Sequence, residues 1–361
     1  MIENLAAVAD EVNPSVRPGT ARPIAIVGAG AIVDVAHLPA YRAGALEVVG
    51  LTDLDLVRAA AVAARHGVSR VYHDLAELLA DDEVEVVDIA VPGPAQPSIA
   101  ERALRSGRHV LAQKPFAPDA ATGRRLADLA DEVGVGLAVN QQLRFDEGIA
   151  AAHAMMRRGW LGEVYRVIID VRIHTDWSAW PWLLTTPRLE ISNHSIHYHD
   201  IVRWFLGEPR TVFCAGGRAP GQAAVGETST ITSYLFASGA RALVQADHNA
   251  AGTEPTATFR IEGTEGVIRG TLGLLYDYPH GRPDTLEIRS SVLGTDGWLT
   301  YPVSRRWVPD AFLGPMASLL DHVGGGPVPV TSAHDNVRTL ELVDAIYASQ
   351  ATGEAQRVGR G

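Results

Sequence analysis

The sequence predicts an α/β protein in two parts: a parallel, helix-covered sheet over residues 23–145, then an α+β domain with a largely antiparallel sheet over residues 146–361. Three observations predict it. A chain of 361 residues exceeds what one hydrophobic core ordinarily serves, so two domains are expected. Up to Phe145, short β-rich apolar runs alternate with Ala-rich helical stretches, the pattern of βαβ units. Beyond Phe145, strand-like segments follow one another at short spacing, as antiparallel neighbours do.

The elements follow in order. Residues 1–22 read as an arm, because Pro14, Pro18, Gly19 and Pro23 break regular structure before the first strand. Strands are predicted at 24–27, 48–51, 86–91, 109–111 and 136–139, with helices between them. A helix over 149–158 opens the second part, and alternation over 164–173 marks a half-buried strand. Further strands are expected at 229–236, 242–246, 256–261 and 266–271, and closing helices at 315–322 and 333–349. The glycines at 324–326 read as a turn.

Composition narrows the function. A net charge of −11 argues against a surface built for nucleic acid or an anionic membrane, since phosphate contacts require clustered Lys and Arg. The start of the chain carries acidic residues, not the basic-then-apolar pattern of a secretory signal, and no apolar run is long enough to span a bilayer. Cys214 is the only cysteine, so neither an internal disulfide nor a cysteine metal site can form. A cytoplasmic protein acting on a small molecule is expected.

Residues 24–33, Ile-Ala-Ile-Val-Gly-Ala-Gly-Ala-Ile-Val, are a buried strand entering a glycine turn and then a helix. Gly28 permits the turn and Gly30 lets backbone approach a pyrophosphate. The amides from Ala31 and Ile32 onward would sit at the positive end of the helix dipole. Val33 stands at the third position, where glycine or alanine usually lets helix and strand pack closely, so some displacement of the helix is expected. Glycine turns also end many strands for structural reasons alone. Asp53 changes the balance, because it closes the second strand about 20 residues on, where a carboxylate can accept from an adenosine ribose. The same charge repels a 2′-phosphate, so NAD is favoured over NADP, with Arg58 and Arg65 nearby as the opposing consideration.

Farther on stand Val87-Asp88-Ile89-Ala90-Val91-Pro92, then His109-Val110-Leu111-Ala112-Gln113-Lys114-Pro115, Asn140-Gln141-Gln142-Leu143-Arg144-Phe145, and Asn193-His194-Ser195-Ile196-His197-Tyr198-His199-Asp200. In order and spacing these resemble the motifs of the Gfo/Idh/MocA family, over nearly the whole chain from Pro23. The resemblance implies a Rossmann-like dinucleotide-binding domain, and an open sheet in the second domain that supports a homodimer or homotetramer. It implies metal-free oxidoreductase chemistry on sugar-like or polyol-like substrates. Cofactor contacts are expected from Val91, Pro92, Gln96, Gln113, Lys114, Gln141 and Arg144. Family members use the lysine of the Lys-Pro turn together with a histidine of the second domain, which map onto Lys114 and His197. Asp200, three residues beyond on a helical face, is placed to orient the imidazole. Several positions depart from the family pattern: Gln113 stands for Glu, Gln96 for a frequent His, Asn193 for Asp and Ser195 for Gly. These exchanges remove charge around the reaction centre, so substrate preference and the proton route are not carried over from other members.

Residues 172–182 carry Trp177, Trp180 and Trp182, which suit either the apolar faces of a sugar or ordinary packing, with Trp177 the better pocket candidate. Arg172, His174, Asn193, His194 and Asp200 are the polar candidates for substrate oxygens. His194, His197, His199 and Asp200 also admit a metal-binding reading, the weaker one because His199 points away from the other two histidines on a helix. Net oxidoreduction of a sugar, polyol or sugar acid leads. Redox-assisted isomerisation, elimination or hydrolysis with NAD regenerated, and a non-catalytic NAD-dependent sensor, remain alternatives.

Overall fold

A computed structural model describes residues 2–177, 180–250, 252, 254–278 and 280–359; Ser178 and Ala179 of the tryptophan segment lie outside the described residues. The chain forms two compact units. One comprises Pro14–Phe145 and Val308–Leu340, the other Met1–Asn13, Asp146–Trp307 and Glu341–Gly361. The break at Phe145 falls where the sequence texture changes, while the segment after Val308 joins the first unit.

The start of the chain corrects the expectation of an arm. Helix α1 (Ile2–Val12) forms because Leu5 and Val8, three apart, make an apolar stripe that is buried, and because Glu11 pairs with Arg158 at 2.5 Å. The breakers Pro14 and Pro18 only end it.

The first unit then runs β1 (Ile24–Val27), α2 (Leu38–Ala43), β2 (Val48–Thr52), α3 (Leu56–His66), β3 (Arg70–Val71), α4 (Leu75–Ala80), β4 (Val86–Ile89), α5 (Gln96–Arg105), β5 (His109–Gln113), α6 (Ala120–Val133) and β6 (Leu137–Asn140). All its strands pair in parallel, in the order β3-β2-β1-β4-β5-β6. Every residue of β1, β4 and β6 is buried, which is why these strands read as continuous apolar runs. Asp55, Asp74 and Asp119 cap α3, α4 and α6 by accepting from backbone N–H groups. The strand order reverses between β1 and β4, and ligands of such sheets bind outside the carboxyl ends of the strands at that point.

The second unit continues with α7 (Glu147–Arg157), β7 (Val164–Arg172), α8 (Ile196–Leu206), β8 (Thr211–Gly217), β9 (Ser229–Leu235), β10 (Arg241–Asp247), β11 (Thr256–Gly263), β12 (Gly266–Thr271), β13 (Leu286–Ser290) and β14 (Leu299–Tyr301). Three elements close the chain: α9 (Leu313–Val323), α10 (Ala333–Thr352) and β15 (Gln356–Arg357). The open sheet has the order β14-β13-β12-β11-β7-β10-β9-β8-β15 and is antiparallel except for β7 with β10. Burial alternates along β9, so Thr230, Thr232 and Tyr234 face the core while Ile231 and Leu235 stay exposed. Among the described residues no helix is long and apolar enough to cross a membrane.

Candidate active site

At the glycine turn, Gly28 has φ +111°, and a Cβ there would lie 2.4 Å from the Ala90 carbonyl oxygen, so no other residue fits. Around Gly30 the position of a Cβ meets nothing within 4 Å. Its glycine therefore answers to no protein contact and suits close approach by a ligand. Val33 is fully buried and opens a π-helical turn, Val33–His37, before α2 begins. Ala31 is exposed and Ile32 half-buried at the start of the turn.

Asp53, just past β2, ties the turn together. Its Oδ2 accepts from the Ala29 N–H at 2.7 Å, and its Oδ1 from the Asp55 N–H at 2.8 Å and from Arg58 at 2.6 Å. Burial pushes its pKa up, but those two backbone donors and the guanidinium outweigh it and hold the carboxyl below the usual range. Arg65 is turned away onto Asp34 at 2.9 Å, which His66 also meets at 2.8 Å. A tight turn, an approachable backbone and an ionised carboxylate at the second strand fit a dinucleotide.

At the ends of β4, β5 and β6, Val91 is half-buried, Pro92 is exposed, and Gln96 donates to the Pro115 carbonyl at 3.1 Å. The Lys114–Pro115 peptide is cis, and the Lys114 N–H donates to the Gln113 side-chain oxygen at 2.9 Å. The Gln113 amide lies 3.0 Å from His37 Nε2, and the Asn140 amide 3.4 Å from it. His37 Nδ1 meets Asp88 Oδ2 at 2.6 Å, and the Tyr41 hydroxyl donates to that oxygen at 2.7 Å. Two amide donors at Nε2 set the tautomer in which Nδ1–H donates to Asp88. Burial, then the Asp88 charge, push the Tyr41 hydroxyl far above its ordinary range. The sequence reading missed this network, although a carboxylate inside an apolar strand must find partners and so announces one. Gln141 is buried, and Arg144 directs its guanidinium to the Val330 carbonyl and Asp335, each at 2.7 Å.

In the second unit, α8 buries His197 and Asp200. The His197 ring stands edge-on to Trp307 at 5.4 Å, and Asp200 faces Arg203 at 3.6 Å, which also binds Glu208 at 2.6 Å. Ahead of α8 lies a second π-helical turn, Glu190–His194. It sets His194 beside Glu190 at 3.4 Å, and the His194 ring stacks on His248 at 4.5 Å with Trp177 at 5.2 Å. Asn193 donates to the carbonyls of Arg188 and Leu189, holding the turn.

The polar candidates thus separate. Trp177 and His194 come together. Arg172 is exposed and paired with Asp170 at 3.0 Å, and the exposed His174 bridges to Asn249 through backbone. His199 is fully buried against the Tyr234 hydroxyl at 2.5 Å, and burial lowers its pKa to about 3, so it stays neutral. Trp180 tilts against Tyr278 at 5.4 Å, and Trp182 is exposed. Glu190 and His248 were missing from the sequence reading. Glu190 had a signal, a carboxylate four residues before His194.

Comparison with known proteins finds a match in each of two stretches of the chain. Residues 22–141 match the description of an oxidoreductase family with an NAD-binding Rossmann fold, and residues 149–269 match the GFO/IDH/MocA C-terminal domain. A D-apiose dehydrogenase of Paraburkholderia graminis is 30% identical over 91% of this chain and 88% of its own. A 1,5-anhydro-D-fructose reductase of Ensifer adhaerens is 26% identical over 93% and 98%. The solved structure of an oxidoreductase from Agrobacterium radiobacter, in complex with NAD+, L-tartaric acid and magnesium, superposes with a TM-score of 0.82 at 25% identity, covering 93% of this chain and 98% of that one.

Proposed function

The chain belongs to the Gfo/Idh/MocA oxidoreductase family, and on that premise we propose that it oxidises or reduces a hydroxyl-bearing carbon of a sugar, polyol or sugar acid. Asp53 carries the choice of NAD, because an ionised carboxylate at that strand end accepts from ribose hydroxyls and repels a 2′-phosphate. NAD, when bound, supplies the hydride-accepting or hydride-donating ring. His197 takes the substrate hydroxyl proton in the oxidative direction, and the Lys114 ammonium stabilises the alkoxide that develops. Asp200 with Arg203 fixes the helix on which His197 sits. The sugar dehydrogenases and reductases among the relatives support a carbohydrate substrate. We place the protein in the cytoplasm, as a homodimer or homotetramer assembled through the open sheet face that bears Phe213, Ile231 and Leu235.

The test is nicotinamide absorbance with purified protein, NAD or NADP, and a panel of polyols, sugars and aldonic acids. Substrate-dependent NADH is expected; tight NAD binding without net NADH would replace this reading with internal redox cycling or sensing. Lys114→Met and His197→Gln should each lower turnover by about a hundredfold or more while NAD affinity changes little. Undiminished turnover in both would remove them from the chemistry.

A further inference from the structure

We propose that Glu190, His194 and His248 hold a divalent transition-metal ion, with Zn²⁺ the first candidate. The three side chains come from two places in the second unit, the π-helical turn before α8 and the residue after β10, and one ligand atom from each lies within 4.8 Å of the others. The separations suit a metal better than a direct bond. His194 Nδ1 stands 3.4 Å from Glu190 Oε2, and His248 Nε2 stands 3.7 Å from Glu190 Oε1. Two ligands about 2.1 Å from a tetrahedral metal lie about 3.4 Å apart. Among the described residues, the imidazole–carboxylate pairs His37–Asp88, His66–Asp34 and His334–Asp131 close to 2.6, 2.8 and 2.7 Å, while the exposed sequence neighbours His73 and Asp74 stand at 3.6 Å.

The surroundings orient these atoms as the outer partners of metal ligands do. Ser195 Oγ donates to Glu190 Oε1 at 2.5 Å, fixing the carboxylate. Thr175 Oγ1 lies 3.1 Å from His248 Nδ1, so an Nδ1–H donated to it leaves Nε2 with its lone pair toward Glu190. The side chains of Glu190, His248 and His194 are 0%, 4% and 20% exposed, so a buried negative charge faces two imidazoles with one partly open side. A dication compensates that charge, and two nitrogen donors select the zinc class over magnesium or calcium. Three protein ligands leave a coordination position for water or for a substrate oxygen, with the Trp177 ring beside it. His194 then meets substrate through the metal.

The site is read without NAD or substrate, so its failure and the failure of the dehydrogenase reading are distinguishable. Full-length protein, stripped with a chelator, is titrated with Co²⁺ while visible d–d absorption is followed, and Zn²⁺ is then added in competition. One equivalent of Co²⁺ per chain, displaced by one equivalent of Zn²⁺, is expected. His248→Gln should weaken binding more than about a hundredfold, beyond the 10- to 100-fold loss typical of an outer-partner change, and Ser195→Ala should fall within that range. Should His248→Gln not fold, judged by circular dichroism, the wild-type titration and Ser195→Ala still decide. Absence of the Co²⁺ spectrum in wild type, or equal affinity in a folded His248→Gln, would overturn the proposal.

Discussion

Asp53 has more ways to reveal the cofactor than either glycine has, because its charge distinguishes two cofactors that share a pyrophosphate. Gly28 is demanded by its positive φ and by the Ala90 carbonyl whatever binds, so its presence alone separates no ligands. Replacing Asp53 by Ala removes charge-assisted hydrogen bonds worth about 1.5–3 kcal/mol, so NAD affinity should fall about 10- to 100-fold. NADP should lose less or gain, since the repulsion goes too. Calorimetric titration with both cofactors checks this, and an unchanged NAD-to-NADP ratio would show that the carboxylate does not meet the ribose. The donors around Asp53 hold its carboxyl below the ordinary range, so the charged form persists as pH falls through that range. The Asp53 contribution to NAD affinity should therefore be level from pH 8 to about pH 5 and decline only in stronger acid.

Among the elements, those legible in the sequence are the ones whose environment repeats along the chain. Strands β1, β4 and β6 are buried on both faces and read as unbroken apolar runs, and β9 and β11 alternate because one face is core. Strand β3 has two exposed residues and exists only by pairing with β2, while β8 ends in two glycines, so neither carries a periodic signal. The two π-helical turns were invisible for another reason. Each is a single turn with no repeat to read: buried Val33 opens one, and buried Glu190, which receives the Ser195 hydroxyl, opens the other. Hence Lys114, His197 and the glycines were found by motif, but His37 and His248 were not, since the carboxylates they meet, Asp88 and Glu190, are distant in sequence, and Glu190 was missed although His194 stands only four residues on. The first turn, β4, β5 and β6 meet at the His37–Asp88 pair, where Tyr41 and His37 both donate to one carboxylate oxygen. Asp88→Ala should cost about 3–5 kcal/mol, because two buried donors lose their acceptor at once. Urea denaturation measures it; a loss below about 1 kcal/mol would mean that water or a shifted side chain replaces the carboxylate.

For the molecule as a whole, the dependence of stability on pH has a specific source in the second unit. Asp146 caps α7 by accepting from the N–H groups of Gly148 and Ile149, and Asp284 accepts from the Gly273 N–H. The two carboxyls are buried, and the charge of Asp146 acts on Asp284. Burial, and then the charge of Asp146, raise the Asp284 pKa far above its ordinary value, and burial raises that of Asp146. Asp284 therefore keeps its proton in the folded state at pH values where the unfolded chain has released it. The stability due to that proton is complete below the unfolded carboxyl range, near pH 4, and is lost as pH rises toward the raised folded value. Replacing Asp284 by Asn keeps an oxygen for the Gly273 N–H and removes the titrating group, so the variant has no proton to lose. Its stability relative to wild type should rise as pH climbs above about 4, by up to about 1.4 kcal/mol per pH unit for as long as wild type holds the extra proton. Thermal melts from pH 4 to pH 8 decide the matter: a gap that stays constant with pH would mean that Asp284 holds no extra proton in the folded state, and that the pH dependence of this fold arises elsewhere.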